Sequence, residues 1–107
     1  MDGKTVPSCM TLALDSRGKE ITTVEGLGRP NGRKDEIQEA FASCDAYQCG
    51  FCTRGMIMSA NALLDKNDSP TDAEIRDGLS GNICRCSAYI YIFEAVKKAG
   101  QWKREGF

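Results

Sequence analysis

Four cysteines stand in two closely spaced pairs, Cys49 with Cys52 and Cys84 with Cys86. The first pair has the spacing CxxC and the second the spacing CxC, and 31 residues separate Cys52 from Cys84. Each pair offers two soft sulfur ligands from one backbone turn, so adding the second ligand of a pair costs little chain entropy. Thiolates favour zinc or iron–sulfur clusters over hard cations. The four residues therefore predict a small metal centre.

Three kinds of site are open for these cysteines: an iron–sulfur cluster, a structural zinc ion or two disulfides. Zinc-binding cysteines are usually spaced by about two to four residues, whereas Arg85 alone separates the second pair. A CxC disulfide is strained, and the sequence shows no charged and then apolar leader for export. We therefore expect a metal site in a cytoplasmic protein, with zinc or an iron–sulfur cluster as the two alternatives.

Composition narrows the functional class further. The 107 residues are enough for one domain with a modest core, and the formal net charge of -1 gives no field that would attract nucleic acid. No apolar run approaches the roughly 20 residues that a membrane span needs. The chain contains no histidine, which excludes His-based acid–base chemistry and mixed Cys/His metal sites.

Apolar residues recur at helical spacing from about residue 35 onward, which predicts four short amphipathic helices in a bundle. Asp35 followed by Gln38 resembles a capping box before the first helix. Thr71 followed by Glu74 resembles another before the third helix. The expected inward-facing residues are Ile37, Ala40, Phe41 and Cys44; Met56, Ile57, Ala60, Leu63 and Leu64; Ile75 and Leu79; and Tyr89, Ile92, Phe93, Val96 and Gly100.

Both cysteine pairs are expected at helix starts. The second helix is predicted from near Cys49 to Lys66, and the fourth from near Ser87. Helix starts carry unpaired N–H groups and the positive end of the helix dipole, which stabilise an anionic thiolate centre. Gly50 would let the backbone approach such a centre without a side chain.

Residues 1–27 carry a different pattern from the rest. KTVPSCMTLAL and KEITTVEGL are partly alternating stretches on either side of DSRGK, which predicts two strands and a turn. Two strands alone are only marginally stable in water, so this segment is expected to pack against another part of the protein. Residues 28–34 are predicted as a linker, and residues 35–107 as the helical domain.

The sequence around the cysteines resembles a known family. YQCGFCTRGMIMSANALL and LSGNICRCSAYIYIFEAV are similar to the [2Fe-2S] domain of the molybdenum hydroxylases, which include xanthine dehydrogenase, aldehyde oxidoreductase and carbon monoxide dehydrogenase. The two-part cysteine motif is far more specific than a lone CxxC. This resemblance favours a [2Fe-2S] cluster strongly over the alternative, a structural zinc module that mediates protein contacts.

This resemblance implies an electron-transfer subunit. Cys49, Cys52, Cys84 and Cys86 match the ligands of the cluster nearer the pterin, and Gln48 matches a residue that hydrogen-bonds the pterin. Cys86 matches a ligand that also lies beside the pterin. The implied partners are a large molybdopterin-binding subunit, on which substrate chemistry takes place, and a medium FAD-binding subunit, and this chain relays electrons between the molybdenum cofactor and a flavin or other acceptor.

Two further cysteines lie outside the pairs. Cys44 falls on the apolar stripe of the first helix and is expected to be a buried, inert thiol. SCMTLA around Cys9 resembles the segment that carries the last ligand of another cluster, in an N-terminal plant-type ferredoxin domain whose other three cysteines are absent here. The expected fold class is therefore mainly α, a four-helix [2Fe-2S]-binding bundle preceded by a short β remnant of that ferredoxin domain.

Overall fold

The computed structural model describes residues 1–28, 30–32 and 34–107, and its regular structure is helical. Four α-helices follow one another along the chain: α1 (Glu36–Ser43), α2 (Thr53–Lys66), α3 (Asp72–Gly78) and α4 (Tyr89–Arg104). The predicted helical class and the number of helices in the C-terminal part are confirmed. No helix in the described part of the chain is long and apolar enough to cross a bilayer.

Two of the helices begin at the predicted capping boxes. At the start of α1, the Gln38 N–H donates to Asp35 Oδ1 at 2.8 Å, and the Asp35 N–H donates to Gln38 Oε1 at 3.3 Å. At the start of α3, the Thr71 N–H donates to Glu74 Oε2 at 2.7 Å and the Glu74 N–H donates to Thr71 Oγ1 at 3.3 Å. Each box satisfies N–H groups that a helix start leaves unpaired, which is why local sequence located both.

The core forms where α1 packs on α4, with α2 and α3 closing its sides. The expected apolar stripes supply most of it, and Leu63, Phe93 and Cys44 lie partly buried at its margin. Tyr89, which was predicted to face inward, is exposed. Burial of a large apolar side chain contributes about 1.5–3 kcal/mol. The largest side chains removed from solvent are Phe41, Ile37, Met56, Leu64, Ile75, Ile92 and Val96.

The predicted β remnant is wrong. Among the described residues there is no strand, and the N-terminal part forms three short 3₁₀ turns, Ser8–Met10, Ala13–Ser16 and Val24–Leu27. A strand needs a neighbouring strand to pair its backbone groups, whereas here the second stretch bonds, through Glu20, to Asp2, which lies before the first stretch. The Asp2 N–H donates to the Glu20 carbonyl at 2.8 Å, and the Glu20 N–H donates to Asp2 Oδ1 at 2.8 Å.

The last of these turns contacts the helices. Val24 and Leu27 pack against the helical core, and Gln38 Nε2 donates to the Val24 carbonyl at 3.1 Å. By contrast, Met10, Leu12 and Leu14 are exposed. The predicted linker 28–34 includes positions 29 and 33, which lie outside the described residues, and the division at residues 27 and 35 stays a prediction.

Candidate metal centre

The CxxC pair lies in the turn that leads into α2. Gly50 has a φ of +81°, a left-handed conformation that glycine adopts without steric cost. This turn replaces the helical start that we predicted near Cys49, and Cys52 becomes the N-cap of the helix. A Cβ at Gly50 would meet no atom within 4 Å. Within this chain, glycine is therefore required by the backbone conformation of the turn.

The CxC pair lies in the loop between α3 and α4, and its first cysteine is the more buried. Cys84 is 6% exposed, and its N–H donates to the Tyr89 hydroxyl oxygen at 2.7 Å. The Ala88 N–H donates to Cys84 Sγ at 3.4 Å. Ser87 between them has a φ of +59°, so the chain curls around this sulfur. Successive N–H groups in such a curl form a concave site for an anion.

The two pairs approach each other at Cys52 and Cys84, and each of these cysteines shifts the pKa of the other. The N–H of Ala88 first, and then the Cys52 thiol and the N–H groups of Cys86 and Ser87, lower the pKa of Cys84. Burial first, and then the neighbouring Cys84, raise the pKa of Cys52 to about 11. The protein thus stabilises negative charge on Cys84 in particular.

Cys49 and Cys86 complete the predicted set less closely. Cys49 is exposed, and Cys86 is half-buried. No group of three or more His, Cys, Asp or Glu side chains in the described ranges stands in the geometry of a metal site. The structure thus brings together one cysteine of each pair, Cys52 and Cys84.

The remaining candidate site residues differ in their burial and in their contacts. Gln48 is exposed, and its Nε2 donates to the carbonyl of Cys86 at 3.5 Å, so it links the two cysteine loops. Cys9 is exposed in the N-terminal segment. Cys44 is the C-cap of α1 and packs against the core, but it is half-buried and not fully buried as predicted.

Two contacts of the CxC loop were not predicted. Tyr89 was assigned only to an apolar stripe, and the sequence holds no sign that its hydroxyl accepts from Cys84. Asn82 was not among the predicted site residues, yet its side chain hydrogen-bonds Ser59 on α2. Both contacts depend on how the loop lies against its neighbours, which spacing along the chain does not reveal.

The donor set fits a thiolate-bound iron–sulfur cluster. All four candidate ligands are cysteines, and the backbone N–H of Ala88 donates to the sulfur of Cys84. N–H groups directed at sulfur are among the interactions by which a protein stabilises such clusters and tunes their potentials.

Comparison with known proteins agrees with this chemistry. Residues 23–97 match the family described as "[2Fe-2S] binding domain". That match covers more than half of the chain, so the chain belongs to this family. The resemblance inferred from the two cysteine motifs is confirmed, and the zinc alternative receives no support.

The relatives are, by name, subunits of a hydroxylase and of a dehydrogenase. The chain is 52% identical over 99 residues to the nicotine 6-hydroxylase small subunit of Paenarthrobacter nicotinovorans, which covers 92% of this chain and 59% of the relative. It is 46% identical over 98 residues to the xanthine dehydrogenase iron-sulfur-binding subunit of Escherichia coli O157:H7, covering 90% and 61%.

A solved structure shows the same fold. Quinoline 2-oxidoreductase from Pseudomonas putida 86 superposes with a TM-score of 0.89 at 39% identity, covering 98% of this chain and 65% of that chain. The chain spans about 60% of the length of the two curated relatives described above.

Proposed function

We propose that this chain is an electron-transfer iron–sulfur subunit, or a part of one, in a molybdopterin-dependent oxidoreductase complex. The proposed ligands are Cys49, Cys52, Cys84 and Cys86. The observation that carries the proposal is the contact between the Cys52 and Cys84 thiols, because it joins two sulfur pairs that lie 31 residues apart. The membership of the [2Fe-2S] binding domain family supports it.

In this function the chain holds a redox group and does no bond chemistry of its own. A [2Fe-2S] cluster on these thiolates would supply one-electron exchange between its oxidised and reduced forms. The N–H groups of Cys86, Ser87 and Ala88 would stabilise the thiolate of Cys84, and the apolar core beneath it would exclude water on one side.

A partner surface is supported by the side chains next to the ligands. Phe51 is 79% exposed and Ile83 is 83% exposed, and each is adjacent in sequence to a proposed ligand. Cys52 and Cys84 approach each other, so the two exposed apolar side chains flank the same site, and contiguous exposed apolar surface is typical of interaction sites. We propose that a large molybdopterin-binding subunit covers this face and that a medium FAD-binding subunit completes the complex. The cytoplasmic location stays a prediction.

The proposal is tested by an absorption spectrum of anaerobically purified protein, with iron, sulfide and zinc assayed on the same sample. We expect a brown protein with about two iron and two sulfide per chain that bleaches with dithionite. A colourless, zinc-loaded protein that also fails to take up iron and sulfide on anaerobic reconstitution would contradict the proposal.

We also propose that Gln48 contacts the pterin of the partner subunit. Its side chain is exposed, and its amide already bonds the carbonyl of Cys86, so it can bridge that ligand and a neighbouring group. In the complex isolated with its own partner subunits, Gln48→Ala is expected to slow cluster reduction by substrate about five- to tenfold, the value of one hydrogen bond. Reduction by dithionite should be unchanged.

The matched control is Gln101→Ala, which removes an exposed amide on α4 that donates to Glu105. It should leave both reduction rates as in the parent complex. Equal rates of reduction by substrate in the Gln48 variant and the parent would refute the pterin contact.

A further inference from the structure

Asn82 joins the loop of the CxC pair to helix α2. It lies two residues before Cys84, and its Nδ2 donates to Ser59 Oγ at 2.7 Å in a partly buried contact. Ser59 lies in the second turn of α2, the helix whose N-cap is Cys52. One side chain therefore spans the two segments that carry the proposed ligands.

The surface of α2 is shaped to receive this side chain. A Cβ at Gly55 would lie 2.6 Å from Asn82 Oδ1, so only glycine lets Asn82 come this close. Gly55 and Ser59 are four residues apart and share one helix face. A glycine inside a helix costs about 1 kcal/mol relative to alanine, so this close approach is maintained against helix propensity.

Gly55 and Asn82 both lie close in sequence to the two cysteines that approach each other. Gly55 is three residues after Cys52, and Asn82 is two residues before Cys84. On its other side, the loop is held by Tyr89, whose hydroxyl accepts from the N–H of Cys84. A shift of Asn82 away from α2 would therefore move Cys84 relative to Cys52.

We infer that Asn82 is a positioning residue for the metal centre. Docked between Gly55 and Ser59, it fixes the distance of the CxC loop from the start of α2 and so holds Cys84 beside Cys52. The inference rests on the proposed function, and it assigns to Asn82 no contact with the cluster itself.

Two variants test this from opposite sides, and their combination provides the control. Asn82→Ala removes the docked side chain, and Gly55→Ala pushes it away. Each is expected to speed the loss of iron to a chelator by about five- to tenfold, which corresponds to the free energy of one hydrogen bond. Each should also shift the g values of the reduced cluster, measured by electron paramagnetic resonance. In Gly55→Ala/Asn82→Ala the clash is gone, so the second substitution should add no further loss.

Either of two results would overturn the inference. If Gly55→Ala is as harmful without the Asn82 side chain as with it, the two residues do not act through each other. If the g values stay unchanged and iron loss follows only the unfolding temperature, Asn82 is an ordinary structural residue. Ser59→Ala should reproduce the Asn82→Ala result, because it removes the other partner of the same bond.

A metal-free measurement separates this inference from the proposed function. In a glutathione redox buffer, the fraction of chains with a Cys52–Cys84 disulfide, mapped by mass spectrometry, reports how closely the two thiols are held. That fraction should fall severalfold in Asn82→Ala and in Gly55→Ala. If the parent chain takes up no cluster, the proposed function fails, and this fraction still decides the inference: an unchanged value refutes it.

Discussion

Replacing Cys84 by serine is expected to abolish cluster binding, leaving a colourless protein with less than about a tenth of the parent's iron. Cys84 is the most buried of the four proposed ligands, and the N–H groups of Ala88, Cys86 and Ser87 lower the pKa of its thiol. A serine hydroxyl is a much harder and less acidic ligand than a thiol, so it cannot replace a soft sulfur. Absorption and iron content of anaerobically reconstituted protein measure the effect.

The matched control is Cys9→Ser, which makes the same chemical change at an exposed cysteine outside both pairs. It should leave the spectrum and the iron content as in the parent. Far-UV circular dichroism of metal-free Cys84→Ser should also match the parent, which would show that the loss of colour is a loss of ligation. A Cys84→Ser protein that stayed brown would show that the ligand set is wrong.

Replacing Gly100 by alanine is expected to lower the free energy of unfolding by about 1–3 kcal/mol, the usual cost of adding atoms to a packed site. A Cβ at this position in α4 would lie 2.6 Å from the carbonyl oxygen of Asp68 and 3.3 Å from Leu64 Cδ2. The carbonyl belongs to the backbone and is held by the guanidinium of Arg104, which also donates to Ser69 Oγ at 3.0 Å. It therefore has little freedom to move aside.

The informative result is whether the substitution lowers or raises the free energy of unfolding. Gly→Ala inside a helix stabilises an isolated helix by about 1 kcal/mol, so helix propensity and tertiary packing predict opposite results. The control is Gly78→Ala in α3, where a new Cβ would meet Leu63 Cδ2 at 3.2 Å, the end of a flexible side chain. Chemical denaturation should show a loss for Gly100→Ala and little change for Gly78→Ala. A stabilised Gly100→Ala protein would contradict the packing argument.

The helical part of the fold was largely predictable because its signals are local. Apolar residues at helical spacing predicted the buried face of each helix, and the capping boxes at Asp35 and Thr71 began α1 and α3 as expected. The start of α2 was predicted about four residues early, because the left-handed turn at Gly50 is invisible to apolar spacing.

The N-terminal segment was not predictable in the same way. Its alternating pattern favoured two strands, but a strand is stable only with neighbours that pair its backbone. The described residues of this segment form 3₁₀ turns instead, and they leave Met10 82% exposed and Leu14 75% exposed. A pattern along the chain can indicate a tendency to form strands, whereas the pairing partner must come from elsewhere in space.

By itself, the sequence determined which residue types are available for chemistry: four paired cysteines, no histidine and a family-specific pair of motifs. Those follow from identity and spacing, which need no knowledge of the fold. Only the tertiary structure decided that Cys52 meets Cys84, that Tyr89 and Asn82 hold the CxC loop, and that Gly100 faces a backbone carbonyl. These contacts join segments far apart along the chain, and their distances are set by how helices and loops pack against one another.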